Sequence, residues 1–255
     1  MAKGISVKLK TYSDTIPKLL NLIKLNEELK KHNKIVLKPY LHADSTKSTK
    51  AEFVEPVLRY CLTNKNLDAQ VLIAEGADGA NTMDLFNELG YNKLAEAYSI
   101  GLVDLNDSAT QEIKDGEFLK FERIMYPEIL LDAFVISLPS LSEDAETGIT
   151  GSLASMLGAF PSSYYKGIFS SKKTKIRKEP IRYAIHDILK CKMPNLAIID
   201  ASSKGMALAG QPLEMDKQAV KLLGKEISRD APYLRLIEDS FKDKAEKGKA
   251  IEIVG

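Results

Sequence analysis

Apolar residues along the chain fall into two alternating patterns. Short unbroken apolar runs occur in "KIVLKP" (34–39), "AQVLIAEG" (69–76), "GLVDLND" (101–107), "AFVISLP" (133–139) and "NLAIIDASS" (195–203). Between them apolar positions recur every three or four residues. "SDTIPKLLNLIKLNEELKKHN" carries Leu19, Leu20, Ile23 and Leu29 behind a cap at Ser13 or Asp14. "AEFVEPVLRYCLT" carries Phe53, Val57, Tyr60 and Cys61. "NTMDLFNELGYNKLAEAY", punctuated at Gly90, "EPIRYAIHDILK", opened by Pro180, and "DKQAVKLLG" repeat the helical spacing. Runs without alternation, separated by helices, are the mark of parallel strands covered on both faces. The pattern predicts an α/β fold, a mostly parallel, doubly wound three-layer α-β-α sheet forming one domain over residues 1–255. "GEFLKFERIMYP" alternates and is expected to be an antiparallel edge strand or hairpin arm, "KGMALAGQP" a Gly-rich loop, and "AIEIVG" a last strand.

Composition narrows the class of protein. At 255 residues the chain can bury one sizeable core, and 44% apolar residues with a mean hydropathy of −0.16 suit a soluble globule. No apolar run approaches the roughly 20 residues a membrane span needs. The start, "MAKGISVKLK", lacks an apolar core of signal-peptide length, so export is not expected. Cys61 and Cys191 stand alone, which excludes a disulfide framework or a local metal box and fits a cytoplasmic location. With 36 Lys and Arg against 35 Asp and Glu, the whole molecule has no field that would attract nucleic acid. A chain without Trp and 28% charged resembles thermophile compositions.

In such a sheet, chemistry is expected where the carboxyl ends of parallel strands open into a crevice. The strand ends supply Lys38, with His42 beyond it; Glu75 and Asp78; and Asp200, Ser202 and Lys204. "EGADGANT" offers Glu75 and Asp78 either as ligands to a divalent ion or as a Gly turn leading to an Asn81 or Thr82 cap; no metal site is assigned. His42 and His186 both suit solvated positions, His186 on the wetter side of its helix. "KGIFSSKKTKIRKEPIR" concentrates positive charge between Lys166 and Arg182, either as a contact for nucleic acid phosphates or as a solvated loop.

One stretch, "TGITGSLASMLGAFP", is free of charged side chains. If a helix starts near Gly151, then Gly151, Ser155 and Gly158 form a nearly bare packing face. Thr150, Gly151 and Ser152 would then set hydroxyls beside the free N–H groups of the first turn, a seat for phosphate or carboxylate. Neither a P-loop lysine nor a dinucleotide fingerprint is present.

The order of these motifs, "KIVLKP", "TGSLASMLGAFP", "LAIIDASSKGMALAGQP", "MDKQAVKLLG" and "IEIVG", resembles the family called domain of unknown function 362 from about residue 33 onward. Lys38 and Pro39 match that pattern while Tyr40 replaces an Asn. Thr150, Gly151, Leu153 and Gly158 match, while Ala154 and Ser155 stand in place of Lys-Asn, and "LPSLSED" lacks an upstream Lys and His. Asp200, Gly210, Pro212 and Asp216 match, while a Glu is missing. Many relatives carry cysteine-rich ferredoxin-like segments; with none here, no iron–sulfur cluster is expected. The resemblance implies no reaction. Two functions follow: a small anionic carboxylate or phosphate ligand held by Lys38, Lys204 and the Thr150–Ser152 turn, with Asp200 or His42 as proton carrier, or a non-catalytic interaction or nucleic-acid protein using residues 166–182. Whether the chain is an enzyme, and its oligomeric state, stay open at this level.

Overall fold

A computed structural model describes residues 4–250, with side chains described through residue 241. Eleven strands are present among them: β1 (Gly4–Lys8), β2 (Lys34–Pro39), β3 (Gln70–Glu75), β4 (Gly101–Asp104), β5 (Thr110–Ile113), β6 (Ile124–Pro127), β7 (Phe134–Leu138), β8 (Glu143–Asp144), β9 (Gly148–Ile149), β10 (Leu196–Ala201) and β11 (Met206–Gly210). Seven build the main sheet in the order β1-β11-β10-β7-β2-β3-β4. The pairings from β10 through to β4 are parallel; β11 is antiparallel to both β10 and β1. Branched side chains explain why these runs become central strands: Val36, Leu72, Val135 and Ile199 pack on one face, and Ile35, Leu37, Ile73, Ile136 and Ile198 on the other.

Helices cover both faces, giving three layers. Tyr12–Leu22, Leu25–Leu29, Ala51–Asn64, Thr82–Glu88 and Tyr91–Tyr98 supply the core residues of one side; Ile181–Cys191, Pro212–Leu222 and Tyr233–Ala250 lie on the other. From β2 the chain moves outward through β3 to β4, then returns past β2 to β7 and β10. The reversal sits between β2 and β7, and the loops leaving their carboxyl ends part there. Everything that positions the site follows from that divergence.

Several details differ from the sequence pattern. The first helix is capped by Thr11, whose hydroxyl accepts from the Asp14 amide (3.2 Å), and it breaks at Lys24, which adopts left-handed backbone. "KGMALAGQP" is mostly strand β11, paired on both sides, because its Ala and Leu are buried and Gly210 lies in extended backbone. β1 had no sequence signal beyond weak alternation. From "GEFLKFERIMYP" only the last four residues form a strand, the hairpin arm β6 paired with β5 outside the main sheet. His186 is buried, not solvated: its Nδ1 meets Asp187 Oδ1 at 2.8 Å, and that carboxylate also accepts the Leu119, Lys120 and Phe121 amides. The expected strand "AIEIVG" falls at residues 250–255, where Ala250 ends a helix and the rest lies outside the described residues.

Candidate functional site

At the floor of the reversal point lies a buried ion pair. Lys38, on β2, donates to Glu75 Oε2 at 2.6 Å and to the Ser155 carbonyl at 2.7 Å; the two side chains are 0% and 1% exposed. Glu75 closes β3, and its other oxygen accepts the Gly76 amide at 2.8 Å. A second buried lysine, Lys173, crosses from the basic segment and donates to the carbonyls of Gly76 (2.8 Å) and Gly158 (3.1 Å). Burial raises the Glu75 carboxyl above its ordinary range against the pull of Lys38, and it pushes the Lys173 ammonium down to about 8 against the pull of Glu75 and Asp78. Two glycines make this packing possible. A Cβ on Gly76 would sit 2.5 Å from the Gly158 carbonyl, and one on Gly158 would collide with Glu75 Oε1 and reach 3.0 Å from Lys38 Nζ.

Above this floor opens a cleft of about 290 Å³. Its walls are the loop after β2 (Tyr40, His42, Lys47), the loop after β3 (Gly76, Asp78), the segment Asp144–Gly158, and Lys172, Ile176 and Arg177 from the basic segment. Asp78 accepts the Lys173 amide (2.7 Å) and the Arg177 guanidinium (2.6 Å). Burial works against ionisation of Asp144, but the amide and hydroxyl of Thr147 outweigh it and hold that carboxyl below its ordinary range. His42 accepts the Asp44 amide at Nδ1 (2.9 Å), so a neutral ring carries its proton on Nε2.

The predicted anion seat at residues 150–152 exists in altered form. No α-helix starts there; the chain enters a 3-10 helix at Ala154–Ala159. Its free amides, Ser152 (2.7 Å) and Leu153 (2.9 Å), are taken by the Asp216 carboxylate, which reaches them because a Cβ on Gly151 would lie only 2.6 Å from Asp216 Oδ2. The seat is therefore filled from within the chain. Thr150 lines the cleft, but its hydroxyl donates to the Ser140 carbonyl, and the Ser152 hydroxyl is buried without a partner. Burial pushes Asp216 up to about 7, while the Leu153 and Ser152 amides restrain the rise.

Of the sequence candidates, Lys38, His42, Glu75, Asp78 and Thr150 converge on this cleft or its floor. Asp200 does not. Strand alternation turns it to the opposite face of the sheet, where it accepts from Tyr12 (3.0 Å), Ser140 (3.2 Å) and the Ser202 amide (3.0 Å). Ser202 and Lys204 lie on the exposed turn between β10 and β11. Lys38, His42, Asp200 and Lys204 thus cannot act as one site. Sequence spacing missed Lys47, Asp144 and Glu146, and merged Lys173 and Arg177 into a general basic run; the i, i+4 spacing of those last two was the only available hint. Among the described residues no group of three His, Cys, Asp or Glu side chains is placed to hold a metal, and no helix is long and apolar enough to cross a membrane.

Fold and cleft together define a three-layer α/β protein with a polar crevice where its sheet reverses direction. The chain belongs to the family described as domain of unknown function (DUF362), whose model matches residues 35–221. No curated protein matches it.

Two expectations follow from this packing. Gly158→Ala forces a methyl group into the Lys38–Glu75 pair and should cost about 1–3 kcal/mol in urea unfolding, whereas Gly116→Ala, which meets nothing within 4 Å, should stay within about 0.5 kcal/mol; equal effects would remove the steric argument. Because Asp216 binds its proton more tightly folded than unfolded, its contribution is full below pH 3.8 and is lost as pH rises toward about 7. Unfolding of wild type and Asp216→Asn between pH 4 and 8 should therefore show the wild type losing ground to the variant at up to about 1.4 kcal/mol per pH unit below pH 7. Parallel curves would contradict this.

Proposed function

We propose that this protein binds a small anionic ligand, a carboxylate or phosphate compound, in the cleft above Lys38 and Glu75. One observation supports this most: the acids of the cleft are already satisfied and two of its cations are not. Glu75 is held by Lys38 and Gly76, Asp78 by Lys173 and Arg177, Asp144 by Thr147, and Glu146 by Arg177. Lys47 and Lys172 line the same cleft with no hydrogen-bond or ion-pair partner for either ammonium among the described residues. Open positive charge in a concave site recruits an anion. His42, which lines the cleft and accepts the Asp44 amide at Nδ1, is the proton carrier facing such a ligand through Nε2. Asp200 has no part in it.

A second reading keeps the basic segment as a nucleic-acid contact. It draws on Phe169, fully exposed with Ile168 beside it, and on the exposed Lys166, Lys172, Lys175, Lys178 and Arg182. Burial of Lys173 and pairing of Arg177 inside the protein take away two of the charges it would use.

Thermal stabilisation separates the two. With inorganic phosphate or succinate at moderate salt, the wild type should be stabilised and Lys47→Gln/Lys172→Gln should lose most of the shift. An undiminished shift in the double variant, or stabilisation by oligonucleotide alone that fades with salt, would overturn the anion assignment.

A further inference from the structure

Arg177 occupies the cleft wall as a strap between three segments. Its Nη2 meets Asp78 Oδ2 at 2.6 Å, its Nη1 donates to the Lys173 carbonyl at 3.2 Å, and its Nε donates to both oxygens of Glu146, at 2.7 and 2.9 Å. The two carboxylates are not equivalent. Asp78 also accepts the Lys173 amide and is anchored beside a left-handed Gly79. Glu146 accepts hydrogen bonds only from that single Nε–H among the described residues, shares it between its oxygens, and is nearly half exposed. An arginine fork offers two parallel N–H groups to one carboxylate or phosphate, so a single shared N–H uses the guanidinium poorly. Exposed pairs of this kind are easily exchanged.

We infer that Arg177 is the ligand-recognising residue of the cleft and that Glu146 is a built-in substitute for the ligand, occupying the guanidinium until an incoming oxyanion displaces it. This rests on the anionic-ligand assignment above and adds to it a specific recognising group and a self-masking contact. The incoming group is a carboxylate or phosphate able to accept from Nε and Nη2 together, with Lys47 and Lys172 lining the same cleft. Displaced Glu146 swings into solvent, while Asp78 keeps Arg177 tethered to the loop after β3.

Calorimetric titration of inorganic phosphate and of succinate into wild type, Glu146→Gln, Arg177→Lys and Lys47→Gln/Lys172→Gln tests this. Glu146→Gln keeps the side-chain shape but removes the competing charge, so it should bind about threefold more tightly or better. Arg177→Lys should bind at least about tenfold more weakly. Circular dichroism and melting temperature establish that Arg177→Lys is folded; if it is not, Glu146→Gln decides alone. Wild type that binds, weakened by the double lysine change but unaffected by Glu146→Gln, would overturn the masking inference and leave the cleft assignment standing. Failure of both wild type and Glu146→Gln to bind either anion would overturn both.

Discussion

The Lys38–Glu75 ion pair is the constraint on which the rest of the cleft depends. A buried charge is costly unless paired and hydrogen-bonded, and here each partner is satisfied by a different part of the chain. Lys38 reaches the Ser155 carbonyl on the far wall; Glu75 takes the Gly76 amide that begins the next loop. Satisfying the pair therefore fixes where three segments stand around the reversal point of the sheet. Gly76 and Gly158 are glycines because any side chain there would occupy the space of the pair or of the backbone touching it. Lys173 then finds the two glycine carbonyls and draws the basic segment over the cleft.

The protein also supplies its own carboxyl groups to the places an anion would go. Asp216 fills the amides of Ser152 and Leu153, and Glu146 occupies the Nε of Arg177. The two occupants differ in burial, and that separates their roles. Asp216 is fully enclosed, so it behaves as part of the framework that holds the wall segment to the Pro212–Leu222 helix. Glu146 is open to water and exchangeable. Lys38, Gly151, Gly158 and Asp216 belong to this framework, whereas the groups that would meet a ligand, Lys47, Lys172 and Arg177, line the cleft above it.

Layering and strand direction were legible in the sequence because β2, β3, β7 and β10 are continuous apolar runs whose burial on both faces leaves little alternative. β1 and β11 were not: β1 is a sheet edge with polar residues, and β11, though paired on both sides, is built of small residues between glycines that look like loop. The site was half legible. Lys38 and Glu75 stand at strand ends, where a parallel sheet exposes its chemistry, and that rule found them. The same rule also returned Asp200, because strand ends do not announce their face unless the alternation is followed through to the last residue. His186 was misplaced because the local helical pattern could not show that a loop some 65 residues earlier would fold its amides onto Asp187. Arg177 and Glu146 are 31 residues apart and Arg177 and Asp78 nearly a hundred, so no local spacing pairs them.

The most direct test of this account is a double-mutant cycle in urea on Lys38→Met, Glu75→Leu and the double variant. Removing either partner alone strands a buried charge, so each single change should cost about 3–5 kcal/mol, and the double should cost clearly less than their sum. A double variant as unstable as the sum of the singles would mean that the two side chains act independently, and the pair would lose its place as the organiser of the cleft.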